Sequence, residues 1–168
     1  DLLNAFIHQL ILKRRANFPV HIKLDTGMNR LGFRQEEIND LLATLNTQPE
    51  VYVTSVFSHL AVADVDSEQD YTTQQIEAFT KVTQLMQDEL GYSFIQHLAN
   101  SAGAFNYPAA HFDMVRLGIG LFGLLKDDQQ LGFENVLVLH SQISQIRKIK
   151  TGESVGYGRS FIADKDTT

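Results

Sequence analysis

Cysteine is absent from this 168-residue chain and proline occurs only three times. Without thiols there is no disulfide framework and no thiolate metal site, which suits a reducing cytoplasm. No apolar run approaches the roughly 18 residues of a membrane span, and no signal peptide opens the chain. Basic residues are in deficit, 14 against 20 acidic for a net charge of -6, so the average field repels a polyanion such as nucleic acid. A local basic pocket is compatible with that average. Internal repeats, low-complexity runs and glycosylation triplets are lacking. The first residue is Asp1 rather than methionine, and an amphipathic segment follows at once, so the chain reads as a piece of something longer. What is present, 43% hydrophobic and 20% charged residues with 11 glycines, is the balance of an ordinary soluble globular domain.

Taken in order, Leu2, Leu3, Phe6, Ile7, Leu10 and Ile11 recur at helical spacing and predict a helix over residues 2 to 15. Val20 to Asp25 reads as a strand closed by Thr26-Gly27, and residues 35 to 45 as a second helix. Val51 to Phe57 is a strand. A polar loop then leads to a helix from Glu68 to Leu90, with Ile76, Phe79, Val82, Met86 and Leu90 on one stripe. Ser93 to Leu98 reads as a third strand, Ala102 to Asn106 as a short helix, and Phe112 to Leu117 as a fourth strand. Strands separated mostly by helices are βα units and imply a parallel sheet. Four such strands are an open sheet or half of a (β/α)8 barrel, which takes about 250 residues when complete.

After Gly123 the texture changes. Residues 136 to 149 alternate apolar and polar in their second half, as a half-exposed antiparallel strand does, and 154 to 163 read as another strand. The expected division is residues 1–126 as a partial barrel and 127–168 as the start of a β domain, with the boundary near 126 to 134.

Polar residues gather at the ends of the expected strands: Lys23 and Asp25, His59, Asn100, and Arg116. Parallel α/β sheets build their sites there. Gly118-Ile-Gly120-Leu-Phe-Gly123 matches the glycine spacing of the dinucleotide fingerprint, but no amphipathic helix follows it, and a nicotinamide site is set aside. A phosphate site suits the same segment better. The Ser101 hydroxyl and the backbone N–H groups of Gly118 and Ile119 are suitable donors, since glycine lets the backbone approach closely. Arg116 then lies at the depth of a ring attached to that phosphate. Pyridoxal phosphate enzymes set an Asp or an Arg against the pyridine nitrogen. An arginine keeps its own proton, which favours proton removal and return over transamination.

Four segments now carry a resemblance. Lys23-Leu-Asp-Thr-Gly-Met-Asn-Arg-Leu-Gly32, Ser58-His-Leu-Ala-Val-Ala-Asp64, Ala99-Asn-Ser-Ala102 and Val115-Arg-Leu-Gly-Ile119 resemble the successive motifs of bacterial alanine racemases, in the family's order and at compatible spacings. The resemblance implies a pyridoxal 5'-phosphate enzyme that interconverts L- and D-alanine for peptidoglycan synthesis, a homodimer in a bacterial cytoplasm. It implies α/β architecture: the second half of a (β/α)8 barrel, followed by the first strands of a C-terminal β domain. By the same resemblance Arg30 hydrogen-bonds the cofactor's phenolic oxygen, Lys23, carbamylated in some members, orients Arg30, and His59 joins the hydrogen-bond chain to Arg116. Asn100, Ser101, Gly118 and Ile119 hold ring and phosphate, and His97 supports from behind. Asn29 stands where glycine is common and Leu117 where proline is common.

The family's two proton-transferring groups, a Schiff-base lysine and a tyrosine donated by the partner subunit, match nothing in this sequence. Lys13 lacks the lysine's context, and Tyr157 matches the segment before the tyrosine motif. The expectation is a fragment inactive on its own. Two alternatives stay open: a non-catalytic pyridoxal phosphate-binding barrel, and a related barrel enzyme, either a broad-specificity racemase or an amino acid decarboxylase.

Overall fold

The computed structural model describes residues 2–124, 132, 134 and 136–168. It falls into two compact units, Asp1–Val136 and Leu137–Thr168. Most of the expected boundary, residues 126 to 134, lies outside the described residues.

In the first unit α1 (Leu2–Leu12) buries Ile7 and Leu10. It ends three residues before the expected position because Arg14 adopts a left-handed φ of 49°. Strand β1 (Phe18–Lys23) follows. It stops short of Asp25, whose carboxylate instead accepts from the N–H groups of Gly27 and Asn29 and holds a turn. A 3-10 turn then opens α2 (Ile38–Thr47), which buries Ile38, Leu41 and Leu42. Strand β2 (Val51–Phe57) is the central one, α3 (Gln69–Leu90) ends on a left-handed Gly91, and β3 (Ile95–His97) leads into α4 (Ser101–Asn106).

The three strands are parallel in the order β1-β2-β3. Val20 pairs with Val53 and His21 with Ser55, so Thr54 is an extra residue in β2, a bulge. On one face Ile22, Val53, Val56 and Phe94 pack with Phe79 and Met86 of α3 and Leu41 of α2 into the core. The opposite face carries His21, Ser55, Phe57 and His97.

The expected fourth strand does not form. Asp113 N–H donates to Gln96 C=O and Arg116 N–H to Ala99 C=O, a spacing of three residues where a regular ladder repeats every two. The Asp113 carboxylate takes the Gln96 N–H, and Phe112 has a φ of 47°. The segment thus runs beside β3 without joining its sheet. The glycine run beyond it forms a 3-10 turn, Ile119–Phe122, closed by Gly123 at φ 73°.

In the second unit residues 136 to 148 form no strand, because no described segment pairs with them and a strand needs a partner for its N–H and C=O groups. The expected strand over 154 to 163 is two short ones, β4 (Ser154–Val155) and β5 (Phe161–Ile162), antiparallel to each other. Between them Gly156 and Gly158 take positive φ and turn the chain. The first unit is α/β, three parallel strands with their helices as in part of a (β/α)8 barrel, and the second unit holds a two-stranded antiparallel pair.

Candidate functional site

The loops after β2 and β3 and the turn after Leu117 enclose a cavity of about 470 Å³ in the first unit. His59, Asp64, Asn100, Ser101, Ala102, Arg116, Gly118 and Ile119 line it. Four of the residues expected to hold a ring and a phosphate, together with Arg116 and His59, therefore meet at one place.

Arg116 is fixed by neutral acceptors. Nη1 donates to His97 Nδ1 at 2.6 Å and to the His97 carbonyl at 3.0 Å. Nη2 donates to the carbonyls of Ser58 at 2.6 Å and Leu98 at 3.1 Å, with His59 Nδ1 at 3.4 Å. The four terminal protons are thereby engaged, and the Nε–H is the guanidinium donor without a partner among the described residues. Phe57 supports the group from one side, 5.4 Å from its ring centroid to Arg116 Cζ, and its ring stacks on His97 at 4.9 Å and 2°. Burial lowers the Arg116 pKa, yet a guanidinium keeps its proton near neutrality.

Both imidazoles beside it are held neutral. Burial first, then the charge of Arg116, then that of His21, push His97 down to about 4. Burial also lowers His59, helped by the positive charges of Arg116, Arg30 and Lys23. Lys23 lies 5.9 Å from the Phe57 centroid, and Arg30 is exposed. Among the described residues neither side chain has a hydrogen-bond partner, and the Lys23 carbonyl accepts from the Phe33 N–H at 2.8 Å. Three cations beside these histidines make this end of the sheet locally positive, inside a chain whose net charge is -6.

Ser101 Oγ accepts from the N–H of Gly118 at 2.9 Å and of Gly120 at 3.1 Å. A Cβ at Gly118 would lie 4.0 Å from that oxygen, an ordinary van der Waals distance, so space alone does not demand glycine there. The sequence sets Gly120 in the same glycine run but gives it no contact of its own. Asn100 lines the cavity while its amide is committed elsewhere: Oδ1 accepts from Gly103 N–H and caps α4, and Nδ2 donates to the Leu60 carbonyl.

Sequence reasoning also missed the residues that hold the His59 loop. Gln75 on α3 is 1% exposed; its Oε1 accepts from Ala61 N–H at 2.9 Å and its Nε2 donates to the His59 carbonyl at 3.2 Å. Ser58 Oγ donates to the Leu24 carbonyl and meets Thr26 Oγ1 at 2.8 Å. Tyr71 donates to the Gly27 carbonyl at 2.6 Å, tying the turn after β1 to α3.

The Gly118 and Gly120 N–H groups are turned to Ser101 Oγ, which leaves that serine's hydroxyl proton to offer to a phosphate, and a lone guanidinium N–H nearby suits an aromatic nitrogen. The donor set therefore fits pyridoxal phosphate.

Known proteins point the same way. The chain is 38% identical to an alanine racemase of Synechocystis over 162 residues, 94% of this chain and 43% of that protein. The structure matches that of the Streptomyces lavendulae alanine racemase with a TM-score of 0.82 at 25% identity, over 99% of this chain and 45% of that one. It matches the Bartonella henselae alanine racemase with covalently bound pyridoxal phosphate at 0.73 and 28% identity, over 97% and 44%. The chain thus spans less than half the length of these relatives. Residues 5–126 match the family model for the alanine racemase N-terminal domain, and the chain belongs to that family.

Proposed function

We propose that this chain is the cofactor-holding part of a pyridoxal phosphate-dependent alanine racemase. One observation carries the reading: Arg116, Ser101, Gly118 and Ile119 line one cavity at the carboxyl ends of parallel strands. The relatives' names agree, and the Bartonella henselae protein holds this cofactor. When bound, the cofactor supplies the electron sink that makes the α-proton of an amino acid removable.

This chain's residues hold and tune it. Ser101 and the N–H groups of Gly118 and Ile119 bind the phosphate, the Gly118 N–H exchanging Ser101 Oγ for it, and Asn100 caps the helix that Ser101 begins. Arg116 offers its Nε–H to the pyridine nitrogen and keeps its own proton, so that nitrogen stays unprotonated. Arg30 faces the phenolic oxygen, with Lys23 beside it and His59 supporting Arg116. Neither proton-transferring group lies among these residues. In the whole protein the substrate is alanine, the assembly a homodimer in the cytoplasm, and the product serves peptidoglycan synthesis. Residues 1–126 act as the partial barrel and 127–168 as the start of the β domain.

Titration with pyridoxal phosphate, followed by absorbance, tests the reading. Saturable binding is expected, with inorganic phosphate as competitor and at least a tenfold loss of affinity in Ser101→Ala. The chain with added cofactor yields no D-alanine from L-alanine above the free cofactor's rate. Absence of saturable binding overturns the site, and so does an unaltered affinity in Ser101→Ala. Turnover, or a stoichiometric borohydride-fixed adduct on Lys13, overturns the assignment of the missing groups.

A further inference from the structure

On the face of the sheet opposite the core, four side chains form one unbroken hydrogen-bonded line. His21 Nδ1 meets Ser55 Oγ at 2.5 Å, Ser55 Oγ meets His97 Nε2 at 3.1 Å, and His97 Nδ1 meets Arg116 Nη1 at 2.6 Å. Its direction follows from its inner end. Arginine can only donate, so His97 Nδ1 accepts and, in a neutral ring, Nε2 carries the proton. That proton goes to Ser55 Oγ, which frees the serine hydroxyl to donate to His21 Nδ1. Every proton in the line points away from Arg116.

We propose that His21 and Ser55 are positioning residues for Arg116, holding His97 as the Nε2–H tautomer so that its Nδ1 lone pair stays aimed at the guanidinium. Without Ser55 only the Arg116 contact at Nδ1 holds this tautomer, and the Nδ1–H form gains population. The Nδ1–H form would then set two donors 2.6 Å apart and displace the guanidinium from its place. A net hydrogen bond of about 1 kcal/mol biases the two tautomers roughly fivefold. The role rests on the reading of Arg116 as the group that faces the cofactor.

The charged and titratable groups facing His97 are Arg116 and, from β1, His21, with the uncharged Ser55 and Phe57 from β2. Burial of the stack and the charge of Arg116 keep further protons off the ring.

The test is nitrogen-15 NMR of the histidine rings in the whole 168-residue chain, assigned by His97→Gln and His21→Gln. The expected result is a protonated Nε2 and a bare Nδ1 at His97 from pH 8 to pH 5.5. Ser55→Ala moves both ring nitrogens toward their tautomer-averaged positions, and Ser55→Thr restores the single tautomer. If Ser55→Ala loses its dispersed amide spectrum, His21→Phe takes its place and gives a smaller shift in the same direction. An Nδ1–H tautomer in the parent chain overturns the proposal. So do His97 shifts unchanged in both variants. Because the readout needs no cofactor, failure of pyridoxal phosphate binding counts against the proposed function and leaves this result standing.

Discussion

Exchanging Gln75 for glutamate replaces one NH2 group by oxygen in a side chain that is 1% exposed. The Ala61 N–H, 2.9 Å from Oε1, keeps its acceptor. The His59 carbonyl, 3.2 Å from Nε2, loses its donor and faces a second oxygen. An unsatisfied buried acceptor costs about 1–3 kcal/mol, and desolvating a carboxylate adds to that. The expected penalty is about 2–4 kcal/mol at pH 8, set against a typical domain stability of 5–15 kcal/mol. A protonated carboxyl donates to the carbonyl and removes most of it. The variant's carboxyl therefore has a folded pKa raised above its unfolded value of about 4.3. Its stabilising form is complete below that value and is lost as the pH rises through the folded pKa. Urea unfolding by circular dichroism at pH 8 and pH 5, parent against Gln75→Glu, reads the difference directly. Gln75→Leu removes both partners without a titratable group and gives a penalty that does not change with pH. A Gln75→Glu penalty below about 0.5 kcal/mol at pH 8, the range of neutral surface changes, would refute the assigned contacts. So would a penalty equal at the two pH values.

The other expectations concern neighbouring positions. In Gly27→Ala the new Cβ would sit 2.6 Å from the Tyr71 hydroxyl oxygen at a φ of 133°, so thermal unfolding should show a loss of about 2 kcal/mol or more. Tyr71→Phe, which removes only the bond to the Gly27 carbonyl, should lose about 1 kcal/mol. His97 has its folded pKa depressed to about 4 from 6.5, so it favours the folded state above 6.5 and loses that contribution as the pH falls toward 4. His97→Gln should flatten the acid limb of the stability profile between those values, and an unchanged limb would contradict the assignment.

The pattern of the sequence went furthest where one periodicity served one core. Phe79, Val82 and Met86 mark the buried stripe of α3, and Val51 to Phe57 is a strand at the expected bounds. Asn100, Ser101, Arg116, Gly118 and Ile119, drawn from two separate motifs, line one cavity. Residues 112 to 117 misled because apolar strand-like composition does not specify a two-residue ladder, and the Asp113 carboxylate occupies the Gln96 N–H. Residues 136 to 148 misled because alternation marks a strand only when another strand answers it. Gln75 carried a signal that went unread. It lies four residues before Phe79, so a polar side chain sits at a core phase of the helix, which calls for a buried partner. His21 and Ser55 are ordinary strand residues in sequence, and only the pairing of β1, β2 and β3 makes them neighbours of His97.

The bulge in β2 turns the site into a matter of parity. Val51, Val53 and Val56 all face the core, spaced by two and then by three, and Thr54 absorbs the odd step with its hydroxyl oxygen unpartnered. Thr54 is thus a residue the strand could drop: Val53 would be followed by Ser55 on the site face, Val56 on the core face and Phe57 on the site face. Loss of Ser55 would be absorbed in the same way, with Thr54 moving into its place, whereas loss of Val56 would leave Ser55 or Phe57 to fill the core position beside Ile22. Length variation in this strand is free at the bulge and ruinous two residues beyond it.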